Sequence, residues 1–380
     1  MIIEQQQWSA RAGWTGRGEP PSLGETAQVA FLFGSAALIK QSEAFERCAE
    51  MYPHAHLLGC STAGEIIGTN VSRDTVAITA LAFARTGVSV ARVDVPDPEG
   101  SFQAGQNLIQ SLDPHGLKHV LIISEVLQVD ASQVMNGINA ALPQGVSVSG
   151  GFSADGDRQQ ISHIWCNGGP AQSSVAALGF YGDHLKIGSA ATGLWGQFGP
   201  VRRITKSKGS MLYELDGRSA LRLYKEYLGE LATGLPASGL LFPISLSVRD
   251  TGHSVLRGLL SVDEAAQSMR FAGDVPEGSQ VRMMMGSIER LIDDSYVAAR
   301  QSVAGWENTP VELAFLVSCN GRRVVLSQRV EEELEAVRDV LGEQAVLTGF
   351  YSCGEIAPIA PGEAAELHNE TLAITTFAEV

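Results

Sequence analysis

The sequence predicts an α/β (α+β) chain: two pseudo-repeated domains of mixed sheets with flanking helices, built from strand–helix–strand–loop–strand repeats. Three observations predict it. The run Ala55–Ile66 (AHLLGCSTAGEI) returns near the end as Ala345–Ile356 (AVLTGFYSCGEI), each an apolar stretch, a Gly, small polar residues and Gly-Glu-Ile. A degenerate third copy, Gly145–Gly156 (GVSVSGGFSADG), lies between them and lacks the Glu. All three follow the same succession of an apolar run, a helical stretch and a second apolar run. An apolar run that ends in small, flexible residues reads as a buried strand entering a tight loop. Loops at the carboxyl ends of strands are where α/β proteins collect ligands.

The elements follow in order. In the first repeat Val29–Ser35 reads as a buried strand, 41–51 as a helix, 55–66 as strand and motif, and Asp74–Phe83 as the closing strand. In the second, Lys118–Ser124 is a strand, Ser132–Leu142 a helix and Ser174–Phe180 the closing strand. In the third, Leu313–Cys319 is a strand and Glu370–Phe377 the closing strand. Between them Val330–Leu341 is a helix whose wet face carries Glu331, Glu332, Glu335, Arg338 and Asp339. The helix crossover makes the first two strands of each repeat parallel. The segment 195–260 breaks the pattern: Gly199–Thr205 begins a new strand, Met211–Gly217 reads as a strand and turn, Ser219–Leu228 as a helix, and Phe242–Val248 and Ser254–Leu260 as strands of an antiparallel sheet. Met283–Met285, ahead of a helix over 287–304, reads as core filling. The expected division is 25–195 and 198–380, with its boundary in the Gly/Trp-rich stretch near 193–200.

Composition narrows the function. The 380 residues are too many for a typical single domain, and 44% hydrophobic with 18% charged residues suits a large core. A formal net charge of −15 argues against nucleic acid and anionic membranes as partners. No apolar run has the length of a membrane-spanning helix. Met1–Gln7 lacks the basic and apolar regions of a secretory signal, so the cytoplasm is the expected location. The five cysteines are odd in number, and no pair is spaced Cys-x-x-Cys, which argues against a disulfide framework and a structural zinc site and excludes covalent c-type haem attachment by the usual motif.

Several side chains are candidates for chemistry. Cys60 and Cys353 follow strands and precede expected helix starts, a position that stabilises a thiolate; each is otherwise a small residue needed for packing. Glu65 and Glu355 are the carboxylates of the repeat, suited to a ligand amine, to an arginine or to a helix terminus. Asn320 and Arg322 follow a buried strand, on the sheet edge that carries the Glu355 loop. Arg322 either pairs a ligand carboxylate or forms a salt bridge to Glu355. Among eight histidines, His368 stands before the last strand and His163 alternates with apolar neighbours, so that one strand face would aim it at a pocket. His253 reads as a turn residue, and His54 with His56 as a same-face pair without further ligands.

The motifs Gly59–Ile66, Gly150–Gly156, Tyr213–Arg218, Gly273–Gly278, Ser318–Arg322, Ser352–Ile356 and His368–Thr371 together resemble FIST sensory proteins. The resemblance runs from about Val29 to Phe377, in the order FIST N domain then FIST C domain. It implies ligand sensing and signal transduction rather than catalysis. A stand-alone branch of that family, the NosP proteins, is similar in having no fused kinase or cyclase. That likeness implies haem b, nitric oxide as its ligand, and a partner histidine kinase or cyclic-di-GMP enzyme. The expected haem-iron ligand is then His368, with His163 second and Arg322 as partner of a propionate; Asn320, Cys353 and Glu355 complete the expected site. The chain is also a candidate homodimer. Two alternatives stand beside haem: a small polar ligand such as an amino acid, held by Glu355 and Arg322, and a cysteine-dependent enzyme using Cys60 or Cys353. No His lies in either cysteine loop to serve as base.

Overall fold

The computed structural model describes residues 1–16, 22–39, 43–156, 161–247, 254–307, 309–358 and 363–380. It is a mixed α/β structure in which one unit occurs three times. Each unit has a first strand, a crossover containing helix, a second strand parallel to the first, and a third strand antiparallel to the first. These are Val29–Gly34, His56–Ser61 and Thr75–Ala82; Leu117–Ser124, Ser147–Phe152 and Ser174–Tyr181; and Leu313–Cys319, Val346–Ser352 and Leu372–Glu379. The strand order is the same in all three, as the repeated sequence pattern predicts. A further antiparallel strand flanks each third strand: Ile2–Ser9, Gly87–Asp94 and Leu185–Thr192 respectively.

The units exchange edges. After its second strand each unit sends a short strand or hairpin into a neighbour's sheet. Glu65–Ile67 of the first unit pairs with Val346–Ser352 of the third. Glu355–Pro358 of the third pairs with Ser147–Phe152 of the second. Ile164–Cys166 of the second pairs with His56–Ser61 of the first. The exchange closes a ring, so each motif loop is held by two units. It also joins the two halves read from the sequence, because Leu185–Thr192 lies along Leu372–Glu379.

The three sheets pack their inner faces together. Phe31, Phe33, Phe180, Phe315, Phe350 and Phe377 meet in one buried cluster. Phe33 and Phe350, from different units, have ring centroids 4.7 Å apart. These aromatics sit at alternate positions on strands buried along their length, so the apolar runs are continuous rather than alternating.

Between Leu185–Thr192 and the helix Ile288–Ser302 the third unit carries an insertion with its own antiparallel sheet. Gly196–Lys208 is its long central strand, and Ala220–Leu228 covers one face with Leu221, Tyr224 and Leu228 buried. Met283 and Met284 are buried as expected, whereas Met285 is 45% exposed. The insertion lies over the carboxyl ends of the third unit's first two strands. His253 falls outside the described residues.

Candidate functional site

Gly59, Gly150 and Gly349 occupy the same place in the three second strands, opposite Leu32, Ile122 and Leu316. A Cβ there would lie 1.8, 1.9 and 1.8 Å from the carbonyl oxygen of that partner. Counting on from these glycines aligns the loops. Three residues on stand the hydroxyls Thr62, Ser153 and Ser352; six on stand Glu65, Gly156 and Glu355. The two glutamates make the same bonds. Glu65 accepts from the Thr62 and Thr75 hydroxyls at 2.6 Å each. Glu355 accepts from Ser352 Oγ at 2.6 Å and Thr371 Oγ1 at 2.8 Å. In the second unit Glu125 substitutes, accepting from the Leu127 and Gln128 amides and from Ser162 Oγ, each at 2.7 Å. The repeated carboxyls therefore tie each motif loop to neighbouring backbone or hydroxyls. They are the first residues of strands, not of helices, so the helix-terminus reading does not hold. The loops also interlock through backbone bonds: Ala63 N to Tyr351 O, Phe152 N to Gly354 O and Ala154 N to Ser61 O.

Burial pushes the Glu65 carboxyl up to about 7 and that of Glu355 up to about 8, against the pull of their hydroxyl donors. Such an acid keeps its proton in the folded chain after the unfolded chain has lost it. Its contribution to stability is complete below the ordinary carboxylate range. It shrinks as pH rises through the folded value, by up to ~1.4 kcal/mol per pH unit for each group. Glu355→Gln keeps the shape of the protonated acid and should flatten this fall. Urea unfolding across that pH range measures it; an unchanged slope would refute the role given to Glu355.

The expected site residues are only partly brought together. Asn320, Cys353 and Glu355 lie at one end of the third unit's sheet. Asn320 is fixed by Nδ2 donating to Gly156 O at 3.2 Å and Oδ1 accepting from Arg323 Nε at 2.9 Å. Arg322 starts in the same turn but points away, fully buried. Its Nε donates to Glu333 Oε2 at 2.7 Å and Nη1 to Asp294 Oδ2 at 2.6 Å; Nη2 donates to Leu291 O and Ser295 Oγ. Its carboxylate partners are thus Asp294 and Glu333, neither Glu355 nor a ligand. His368 pairs with Glu355 across the exchanged hairpin, and its Nε2 lies 2.9 Å from Ala357 O. Burial draws its imidazole down to about 4, so the ring is neutral. His163 is half-buried just before Ile164–Cys166, with its amide on Ser61 Oγ.

The thiols correct another expectation. Cys60 lies within the strand His56–Ser61 and Cys353 between two strands, neither ahead of a helix, and burial pushes Cys353 up to about 12 and Cys60 well above the ordinary thiol range. Cys319, which does precede a helix, is driven up the same way. Desolvation outweighs any helix-end field here. Iodoacetamide at mildly alkaline pH should therefore leave Cys48, Cys60, Cys319 and Cys353 of the native protein essentially unlabelled, with the half-buried Cys166 the first to react, and modify all five after unfolding. Rapid native labelling of Cys60 or Cys353 would reopen the enzyme reading.

One buried group escaped the sequence reading. Glu370 sits at φ +61 ahead of the last strand, its carbonyl bonded to Trp195 Nε1 at 2.7 Å. Its side chain is 1% exposed and wedged between two glycines. A Cβ on Gly321 would lie 1.9 Å from Oε2, and one on Gly258 2.6 Å from Oε1. Apart from the Cys319 thiol alongside, neither oxygen has a hydrogen-bond partner among the described residues. Asn369 Oδ1 next to it is also buried and has no partner among the described residues. Both residues line a cavity with Asn320, Gly321 and Cys353, roofed by Leu240, Leu259 and Leu260 of the insertion. The volume open to the centre of a water-sized sphere is about 20 Å³, room for one water. The signal available in the sequence was an acidic residue two positions before a buried strand.

The residues expected to hold haem do not fit it in this arrangement. Arg322 is taken by two carboxylates, His368 faces a backbone carbonyl, and the space beside Asn320 and Cys353 has the size of a water, against the several hundred Å³ of a typical cofactor pocket. Among the described residues no group of three or more His, Cys, Asp or Glu could hold a metal ion directly. No helix among them is long and apolar enough to cross a membrane.

Comparison with known proteins gives a consistent family. The family profile of the FIST N domain matches residues 28–218, and that of the FIST C domain residues 220–358. An uncharacterised protein of Mycobacterium tuberculosis is 24% identical over 365 residues, covering 94% of this chain and 92% of the relative. One of Methanocaldococcus jannaschii is 24% identical over 362 residues, covering 88% of this chain and 67% of its own length. Among solved structures a cyanuric acid hydrolase from A. caulinodans aligns over 100% of this chain and 99% of its own, at 9% identity and a TM-score of 0.37.

Proposed function

The chain belongs to the FIST family, whose domains are signal-transduction sensors, and from that premise we propose that it senses a small ligand in the cavity between the third unit and its insertion. The observation that carries this reading is the buried Glu370 carboxyl, which faces a roofed cavity and has among the described residues no hydrogen-bond partner but the Cys319 thiol. A buried polar group costs stability unless it is satisfied, and a ligand supplies the missing bonds. The roof belongs to a separate sheet, so occupancy has a direct route to a change in how the insertion sits on the three-unit body. In this reading the output goes to a partner histidine kinase or cyclic-di-GMP enzyme.

A thermal-shift screen of small metabolites tests the proposal. A ligand that raises the melting temperature of the native protein, but not of Gly258→Leu, whose Cβ alone would come within 2.6 Å of Glu370 Oε1 and displace that carboxyl, supports it. Stabilisation that persists in Gly258→Leu would place the site elsewhere. Protein supplied with haem provides the competing outcome. A Soret band lost on replacing His368 or His163 by Ala would favour the haem reading over this one.

A further inference from the structure

We propose that Glu370 is a proton-controlled latch between the insertion and the three-unit body. With its proton, the roof formed by Leu240, Gly258, Leu259 and Leu260 stays down; without it, the roof lifts. The latch acts at the cavity of the function proposed above and needs no ligand there, so the two readings fail separately.

Glu370 belongs to the body, in the turn before the strand Leu372–Glu379. The insertion closes on that turn from two sides. Trp195 Nε1, at the insertion's entry, donates to Glu370 O at 2.7 Å. Gly258 backs onto the carboxyl: a Cβ there would lie 2.6 Å from Oε1, and one on Gly321 of the body 1.9 Å from Oε2. Arg257 Nη1 adds a bond to Leu367 O at 3.2 Å. The roof therefore rests on the carboxyl itself.

That seat suits the acid and not its anion. An ionised carboxylate presents two oxygens with about four acceptor sites. Among the described residues the Cys319 thiol is the hydrogen-bond partner of Glu370, and the cavity alongside has room for one water. Under a closed roof an ionised Glu370 lacks most of its solvation, and lifting the roof admits the missing water.

The groups facing Glu370 supply no counter-ion. From the body these are the Cys319 and Cys353 thiols, Glu355 and Arg322; from the insertion's helix, Tyr224. Arg322 is bonded to Asp294 and Glu333. Arg257, beside Gly258, is turned to the carbonyls of Leu256, Leu367 and Asp274. His368 is neutral, with Nε2 at Ala357 O. Burial first, then Glu355, hold the Glu370 carboxyl well above the ordinary range. A closed roof thus favours the protonated acid, and an open one restores an ordinary carboxylate. Between the ordinary carboxylate range and the raised value of the closed form, the open population grows by up to about tenfold per pH unit.

Slow labelling by a methanethiosulfonate reagent, followed by mass spectrometry on the full chain without ligand, reads the opening. Cys319 and Cys353 line the cavity, whereas Cys48 lies in the first unit's helix Glu43–Met51 and reports unfolding of the body. Each rate is divided by that of the same thiol in the urea-unfolded chain at the same pH, which removes the thiol's own titration. From about pH 5.5 to about pH 8 the ratio for Cys319 and Cys353 should rise at least about tenfold in the native chain and less than about twofold in Glu370→Gln, with Cys48 level. Trp195→Phe removes the donor to Glu370 O and keeps the carboxyl, and it serves should Glu370→Gln not fold. It should raise the ratio about three- to tenfold at every pH and leave the rise with pH in place. A native ratio flat with pH, a rise matched by Cys48, or a ratio unmoved by Trp195→Phe overturns the latch. A slope kept in Glu370→Gln also overturns it and moves the control to Glu355. Ligand-induced stabilisation that Gly258→Leu abolishes, beside a flat ratio, leaves the sensing cavity and removes the latch; the converse leaves the latch and removes the ligand.

Discussion

Arg322→Met is expected to destabilise the protein by roughly 3–5 kcal/mol. The guanidinium is fully buried and bridges two buried carboxylates, Asp294 of helix Ile288–Ser302 and Glu333 of helix Val330–Leu341. Removing it leaves both charges in a low-dielectric interior without their cation. Glu333 is tied further, since Ser318 Oγ and the Tyr351 hydroxyl each donate to Oε1 at 2.8 Å. The change therefore loosens the first and second strands of the third unit together with the two helices. Urea unfolding of the single variant and of Arg322→Met with Glu333→Gln measures the effect. The double variant should recover part of the loss, because one of the abandoned charges is gone. Lys is not a safe replacement, as it cannot span both carboxylates in the same plane. A single-variant loss under about 1 kcal/mol would show that the network is solvated and has the weight of a surface ion pair.

Arg322 also shows where sequence reading stops. Its position after a buried strand was legible, and so was its company at the sheet edge. Its direction was not, because Asp294 and Glu333 lie on helices 28 and 11 residues away in sequence, and nothing local ties them to it. The strand–helix–strand frame was legible because each strand is a continuous apolar run with a small-residue stop, as in Leu313–Cys319. The edge exchange was not: Glu65–Ile67 and Ile164–Cys166 are three residues long, too short for a period, and their partners are set by assembly of the ring. The Gly-Glu-Ile signature drew attention to Glu65 and Glu355, yet their bonds to loop hydroxyls make them fasteners. The carboxyl left over, Glu370, was read as part of the last strand. The strand begins at Leu372, and the turn before it, with Asp74 and Ser173 at matching positive-φ places in the other units, swings the side chain into the cavity.

Gly349→Ala is expected to cost roughly 2–5 kcal/mol, combining a strained backbone with a steric clash. Gly349 has φ +148, and a Cβ would stand 1.8 Å from Leu316 O and 2.7 Å from its carbonyl carbon. Both obstacles are backbone atoms of the parallel neighbour, so no rotamer change relieves them. A glycine inside a strand marks such a close approach of another backbone, and the same approach recurs at Gly59 and Gly150. Gly68 supplies the control. It lies in a hairpin turn at φ +60 with nothing within 4 Å of its would-be Cβ, so Gly68→Ala carries the left-handed backbone cost alone, about 1–2 kcal/mol. The difference between the two variants in urea unfolding isolates the clash. Since the register of Gly349 sets where Ser352, Cys353 and Glu355 emerge, the stable fraction of Gly349→Ala should also lose ligand-induced stabilisation. Equal costs for the two variants would mean that the second strand of the third unit can slide away from Leu316, and that the register holding the candidate site is not fixed by this glycine.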